Sequence, residues 1–376
     1  MVEFRDVIKE SITPKRKKTR KREVVPKDDI KFRDLDLLKE SHPSQPESAQ
    51  DSIAIFAKDK LELDDVFKKA IQCLEEVGSE IKRGINFQID PVFNISEAII
   101  NCLQPQEMLK PRLQNNQNTC DLLLDASFVK QPFDSMLVQM VNVAIFAVEI
   151  GVGLLYSREQ LIKLGVAGLL HDVGMWKIPR EIIEKHGHLN DEEFEMVRKH
   201  PEYGFEILSS LGEEYAWLAE IALQEHEREN GQGYPRGLKG EEINESAKII
   251  GLADVYEAIS HFRCYKKHLI PHYALKELLN TQRGVFPSRI IKALIGRFSI
   301  FPLYSYVRLN SGYIGRVIEV NEAYPLRPTV KILFDSQKKK VDKIQTINLA
   351  DTPILYITGA VDEEELSVYD LNVCVG

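Results

Sequence analysis

The sequence predicts a mainly α protein, a helical bundle followed by a small antiparallel β domain. Apolar residues recur at spacings of three and four from Leu63 to Leu103, and again from Phe133 to about Arg297. After Phe301 the period changes to two. A content of 44% hydrophobic and 28% charged residues describes an ordinary globular protein, and 376 residues suit two or three domains.

Residues 1–52 read as a tail. Lys15 to Arg22 is one basic block, and Glu40 to Asp51 is rich in Ser, Pro and Gln, a composition too polar to offset its own ordering entropy. The block reads first as a solvated linker, and alternatively as an electrostatic contact for nucleic acid or anionic lipid. A net charge of −8 argues against nucleic-acid binding by the whole chain. Five scattered cysteines without a CxxC pair indicate reduced thiols and a cytoplasmic setting. No apolar signal core opens the chain. Met136–Tyr156, the most apolar stretch, carries Gln139, Asn142 and Glu149 and so reads as a buried helix rather than a membrane span.

Residues 53–130 form an N-terminal helical subdomain in this reading, with Leu63, Val66, Phe67, Ala70, Ile71 and Leu74 on one face and no residue that carries chemistry. Residues 131–298 are the chemical centre. Ser157 with Gln160 makes a capping box for a helix running to Leu170, where His171 and Asp172 follow and Gly174 permits a sharp turn. Asn190 or Asp191 caps a helix that ends at His200-Pro201, with Met196 and Val197 beneath the imidazole. A helix from about Tyr215 brings Ala222 and Leu223 beneath His226, and one from Ser246 carries Asp254 on a stripe with Ala247, Ile250, Gly251 and Ala258. A carboxylate on an apolar stripe is costly to bury unless it is paired or binds a metal. Taken one at a time, these groups read as satisfied core residues. Four helices that each deliver an imidazole or carboxylate inward read as a metal centre. His186 and His188 read as exposed loop residues, and His261 as a neighbour of the centre. The chain has no P-loop, no dinucleotide fingerprint and no strained serine turn.

Residues 299–376 hold the β domain, with strands at Tyr306–Leu309, Ile314–Val320, Thr329–Phe334 and Ile354–Ile357, and turns at Ser311-Gly312 and Asp335-Ser336. An SH3-like barrel is expected, serving either as a partner-binding module or as a structural cap.

The motifs HDVGMWKIP (171–179), KHPEYG (199–204), EHERENGQGYP (225–235) and ADVYEA with a following Arg263-Cys264-Tyr265 resemble the HD-GYP subgroup of the HD-domain phosphohydrolases. The resemblance implies an HD-domain helical bundle that hydrolyses a cyclic dinucleotide, cyclic di-GMP first among them, through a metal-activated water. It implies one or two divalent ions, iron or manganese, held by His171, Asp172, His200, Glu225, His226 and Asp254, with Asp172 bridging. It further implies catalytic roles for Asp172 and Lys177 and substrate contacts from Gly233, Tyr234, Pro235 and Arg263. The partners it suggests are the nucleotide, a signalling protein at the Gly-Tyr-Pro loop and a second copy of the chain.

The departures from that pattern are specific. Gln139 stands where the family has a histidine, Ser135 where trinuclear members have a glutamate, and Met175 in place of a lysine, with Lys177 offset by two. Glu225 replaces the first histidine of a tandem pair, Asn230 an acidic residue, and Cys264 a proline. The alternative reading is therefore a catalytically degenerate member that keeps the fold for nucleotide binding or protein scaffolding.

Overall fold

The computed structural model describes residues 49–103, 135–185, 187–261, 278, 282, 284–298, 301, 305–321, 324, 326–337, 339–361 and 366. The basic block, His186 and Arg263 lie outside them. The helices up to Arg297 form one compact unit and the strands from Tyr306 another.

The first unit opens with α1 (Ala49–Lys82) and α2 (Asp90–Leu103). The expected spacing is realised: Ala70, Ile71, Leu74, Val77 and Ile81 are buried along α1, and Val92, Ser96, Ile99, Ile100 and Leu103 along α2. Gly84, at φ 72°, ends the first helix in the left-handed region.

The centre of the bundle is α3 (Ser135–Gly153), which packs against α4 (Arg158–Leu170), α9 (Glu245–His261) and α10 (Ser288–Arg297). Among the described residues it is the helix long and apolar enough to cross a membrane, but 83% of its apolar window is buried inside the bundle. The Ser157 hydroxyl accepts from the Gln160 N–H while the Gln160 side chain accepts from the Ser157 N–H, so the expected capping box starts α4. A Cβ at Gly168 would overlap the Ala144 backbone, so α3 and α4 approach more closely than any larger residue allows. The remaining described α-helices of the unit are α5 (Arg180–Ile183), α6 (Asp191–Val197), α7 (His200–Ser209) and α8 (Ala216–Gln224).

The turn into the centre differs from the sequence expectation. After Leu170 the chain enters a 3₁₀ helix, Val173–Lys177. Gly174 does not adopt positive φ. It is small for another reason: a Cβ there would overlap the carbonyl of His200 and the amide of Gly204. His200 likewise does not end α6 but begins α7, after a break at Arg198 and Lys199. Pro201 explains this, since its ring favours the first turn of a new helix and cannot continue an old one.

The second unit is a five-stranded antiparallel sheet in the order β4-β3-β2-β1-β5, built from β1 (Tyr306–Leu309), β2 (Ile314–Glu319), β3 (Thr329–Phe334), β4 (Lys340–Asn348) and β5 (Ile357–Val361). Two details correct the sequence reading. Lys340–Asn348 is a strand that the reading omitted, and the last strand begins at Ile357, because residues 351–355 turn through the Leu355 N–H to Thr352 carbonyl bond. The omitted strand is an edge, where charged residues are tolerated and the alternation is diluted.

One buried ion pair ties α3 to α10: Arg297 meets Glu149 Oε2 through Nε at 2.7 Å and Nη2 at 2.6 Å. Glu149→Ala strands a largely buried guanidinium, and urea titration is expected to show a loss of about 3 kcal/mol. A loss under about 1 kcal/mol would show that water replaces the carboxylate.

Candidate metal centre

Four buried side chains, Asp172, His200, Glu225 and His226, place one ligand atom each within 4.8 Å of one another. They come from different elements: Asp172 precedes the 3₁₀ helix, His200 starts α7, and Glu225 and His226 follow the last turn of α8. The contacts run from His200 Nε2 to Asp172 Oδ1 (3.3 Å), to Glu225 Oε1 (3.6 Å) and to His226 Nε2 (3.0 Å). Metal–imidazole bonds are about 2.0–2.1 Å, so two nitrogens bound at right angles to one ion stand about 3 Å apart. The observed separation fits that spacing.

Two further groups adjoin this cluster. His171 Nε2 lies 3.4 Å from Asp172 Oδ2, so the two oxygens of Asp172 face different imidazoles. Asp254 accepts a 2.8 Å hydrogen bond on Oδ1 from the Gln139 amide and leaves Oδ2 without a partner. Within the cluster, His171 Nε2, Asp172 Oδ1, both oxygens of Glu225 and His226 Nδ1 also lack a hydrogen-bond partner. Such orphaned acceptors are costly unless a cation satisfies them. The residues present fit a bound divalent ion.

Backbone contacts aim the ligands. His171 Nδ1 donates to the Gly168 carbonyl and His200 Nδ1 to the Val197 carbonyl, each at 2.8 Å. A carbonyl only accepts, so both rings carry a proton on Nδ1 and direct Nε2 inward. A Cβ at Gly251 would overlap the Glu225 carbonyl, and one at Gly233 the His226 carbonyl. Glycines on α9 and in the Gly-Tyr-Pro loop therefore seat the two ligands that follow α8.

The electrostatics follow from crowding without water. Burial pushes Asp254 up to about 7, helped by the charges of Asp172 and Glu225 and opposed by His171. Burial likewise raises Glu225. Burial pulls His171 down, but Asp172 and Glu225 together carry it well above its ordinary value. His226 lies well below its ordinary value through burial and the positive charges of His200, Arg228, His171 and Arg198. Asp172 goes the other way: burial raises it, but His171 and His200 together hold it below its ordinary value.

Sequence reasoning missed several supporting residues. Glu227, 2% exposed, accepts the N–H groups of Arg236 and Gly237 on Oε1 and of Leu238 on Oε2, fixing the chain beyond the Gly-Tyr-Pro triplet. Arg228 is buried and donates Nη1 to the carbonyls of Glu225 and Glu227 at 2.8 Å each. Their adjacency to His226 was the available signal.

Other expected site residues fall differently. Tyr234 is only 6% exposed and stacks on His226 with ring centroids 4.7 Å apart, so its ring is not presented to a base or to a partner protein. Gly233 and Pro235 flank it, half-buried. Met175 is fully buried. Lys177 is exposed and lines a surface cleft with Ile81, Phe87, Glu206 and Ser210, to which no metal-cluster residue contributes. The reason is helical phase: residues three apart eclipse in a 3₁₀ helix, so Met175 follows Asp172 and Lys177 does not. Lys177 therefore does not take the place of the missing lysine. Arg263 lies outside the described residues, and His188 is exposed in its loop.

Residues 110–286 match the HD domain family, and residues 306–368 match a KOW domain associated with HD domains. A cyclic di-GMP phosphodiesterase of Pseudomonas aeruginosa is 36% identical over 185 residues, covering 49% of this chain and 44% of the relative. The HD domain of this chain is of the HD-GYP subgroup. A cyclic di-GMP phosphodiesterase of Borreliella burgdorferi is 30% identical over 217 residues, 58% of this chain and 57% of the relative. A 3'3'-cGAMP-specific phosphodiesterase of Vibrio cholerae is 35% identical over 150 residues, 40% of this chain and 28% of the relative. The chain thus spans about half the length of the first two relatives. The HD domain match takes in α3 to α9 with the candidate metal centre but not α1, α2 or α10, and the KOW match covers the sheet.

Gly174→Ala forces a methyl group against the His200 carbonyl. The expected result is a loss of about 1–3 kcal/mol in urea unfolding, with a fall in metal bound per folded chain. Unchanged stability and full metal content would show that the 3₁₀ turn shifts freely.

Proposed function

We propose that the protein is a metal-dependent phosphodiesterase that hydrolyses a cyclic dinucleotide, with cyclic di-GMP the first candidate and 3'3'-cGAMP the second. The observation that carries this reading is the buried cluster of Asp172, His200, Glu225 and His226, joined by His171 and Asp254, with its acceptors aimed inward and unsatisfied. The relatives' names support the substrate class.

His200, His226, Glu225 and Asp172 Oδ1 would hold one ion, and His171, Asp172 Oδ2 and Asp254 the other, with iron or manganese the expected metals. Bound divalent ions neutralise phosphoryl oxygens and lower the pKa of a coordinated water. The protein's own part is positional. Asp172 spans the two sets of ligands, and Gln139 holds Asp254 by one oxygen so that the other faces the centre. The two Nδ1 contacts keep the imidazoles from turning away. Tyr234 covers His226 and excludes water from that side.

A second reading, a binding or scaffolding module without turnover, is favoured by Met175 and Gln139, which supply neither a cation nor a histidine at this centre. Protein purified without chelator should contain up to two ions per chain and hydrolyse cyclic di-GMP or 3'3'-cGAMP with added manganese or ferrous iron. Chelation should abolish turnover, and Asp172→Asn should lower kcat by about 10³-fold or more. Two bound ions with no turnover of either nucleotide would establish the second reading instead.

A further inference from the structure

The metal cluster lacks a cation where Met175 replaces lysine, and a dianionic substrate needs one. The described cations near the centre can be compared one by one. Arg228 is buried and committed to the Glu225 and Glu227 carbonyls. Lys177 belongs to a separate cleft. Arg198 is placed differently: its guanidinium carbon lies 4.6 Å from the centroid of the Tyr234 ring, the same ring that stacks on His226. It stands two residues before His200, in the break between α6 and α7.

The state of Arg198 suits a ligand. Its side chain is 33% exposed, while the side chains of Asp172, His200, Glu225 and His226 are at most 4% exposed, so it lies at the rim. Its ion pair, Nη1 to Glu195 Oε1 at 3.1 Å, joins two groups in contact with water, and such pairs contribute little. A guanidinium laid on an aromatic face keeps its in-plane N–H donors available, and its flat fork matches two phosphate oxygens.

We propose that Arg198 binds the phosphate of the cyclic dinucleotide that is not being cleaved. A cyclic dinucleotide carries two phosphodiesters. The buried cluster claims the scissile one, and a cation at the rim meets the other. Arg198 is then a specificity determinant, favouring two-phosphate rings over diesters with one phosphate. This inference rests on the phosphodiesterase reading.

The test compares wild type, Arg198→Ala and Arg198→Lys, loaded with manganese, on cyclic di-GMP and on bis(p-nitrophenyl) phosphate, a diester with a single phosphate. The quantity read is the ratio of kcat/KM for the two substrates. Arg198→Ala should lower that ratio on the order of ten- to a hundredfold, mainly through KM for the dinucleotide, and Arg198→Lys should recover part of it. An unchanged ratio, whether both activities fall together or neither moves, overturns the proposal. If wild type cleaves neither substrate, the phosphodiesterase reading fails, and calorimetric titration with cyclic di-GMP decides the role of Arg198. Binding at least tenfold weaker in Arg198→Ala supports it, while equal binding, or none by wild type, overturns it.

Discussion

Three carboxylates and three imidazoles share a space from which water is excluded, and the helical unit depends on how that crowding is resolved. Asp172, Glu225 and Asp254 are each at most 2% exposed, as is His171, with no lysine or arginine in salt-bridge contact with them among the described residues. Burying such groups is unfavourable without compensation. Burial shifts Asp254 and Glu225 upward, while His171 and His200 hold Asp172 down. A bound divalent cation supplies the compensation. The surrounding backbone is tightened to serve this arrangement, with the His200, Glu225 and His226 carbonyls each seated where only a glycine leaves room.

The substitutions at this centre are absorbed differently. Gln139 keeps contact with the site by donating to Asp254, so it acts on a ligand instead of being one. Glu225 joins the cluster that could hold a metal and makes its inner surface richer in oxygen, the donor type that harder metals favour. Met175 withdraws from the site chemistry and packs in the core. The three changes leave the buried cluster of Asp172, His200, Glu225 and His226 intact and place no lysine beside it. Arg198, stacked on Tyr234, occupies the rim where a charge contact to substrate can be made.

Much of this was legible in the sequence. The capping box at Ser157 and the cap at Asn190 are local signals, and both form, the second also as a capping box with Glu193. The inward direction of His171, His226 and Asp254 followed from helical phase against apolar neighbours, whereas His200 is buried with them although it begins α7 and Met196, expected beneath it, is 38% exposed. Where the reading failed, contacts distant in sequence were decisive. Gly174 looked like a turn residue because glycine is the usual turn residue, whereas its role is set by a carbonyl 26 positions away. Lys177 looked like a displaced lysine because sequence offset does not reveal the 3₁₀ phase that turns it outward. Strand β4 was missed because an edge strand need not alternate cleanly.

The sequence by itself determined the class of fold, the family and the ligand types, since these depend on residue identity, period and short-range spacing. It could not determine which atoms meet. That Nε2 of His200 and Nε2 of His226 stand 3.0 Å apart, that the two oxygens of Asp172 face different imidazoles, and that Tyr234 lies on His226 beside Arg198 are consequences of packing. Only the tertiary structure brings those groups together, because each belongs to a different element and its direction is set by a partner far along the chain.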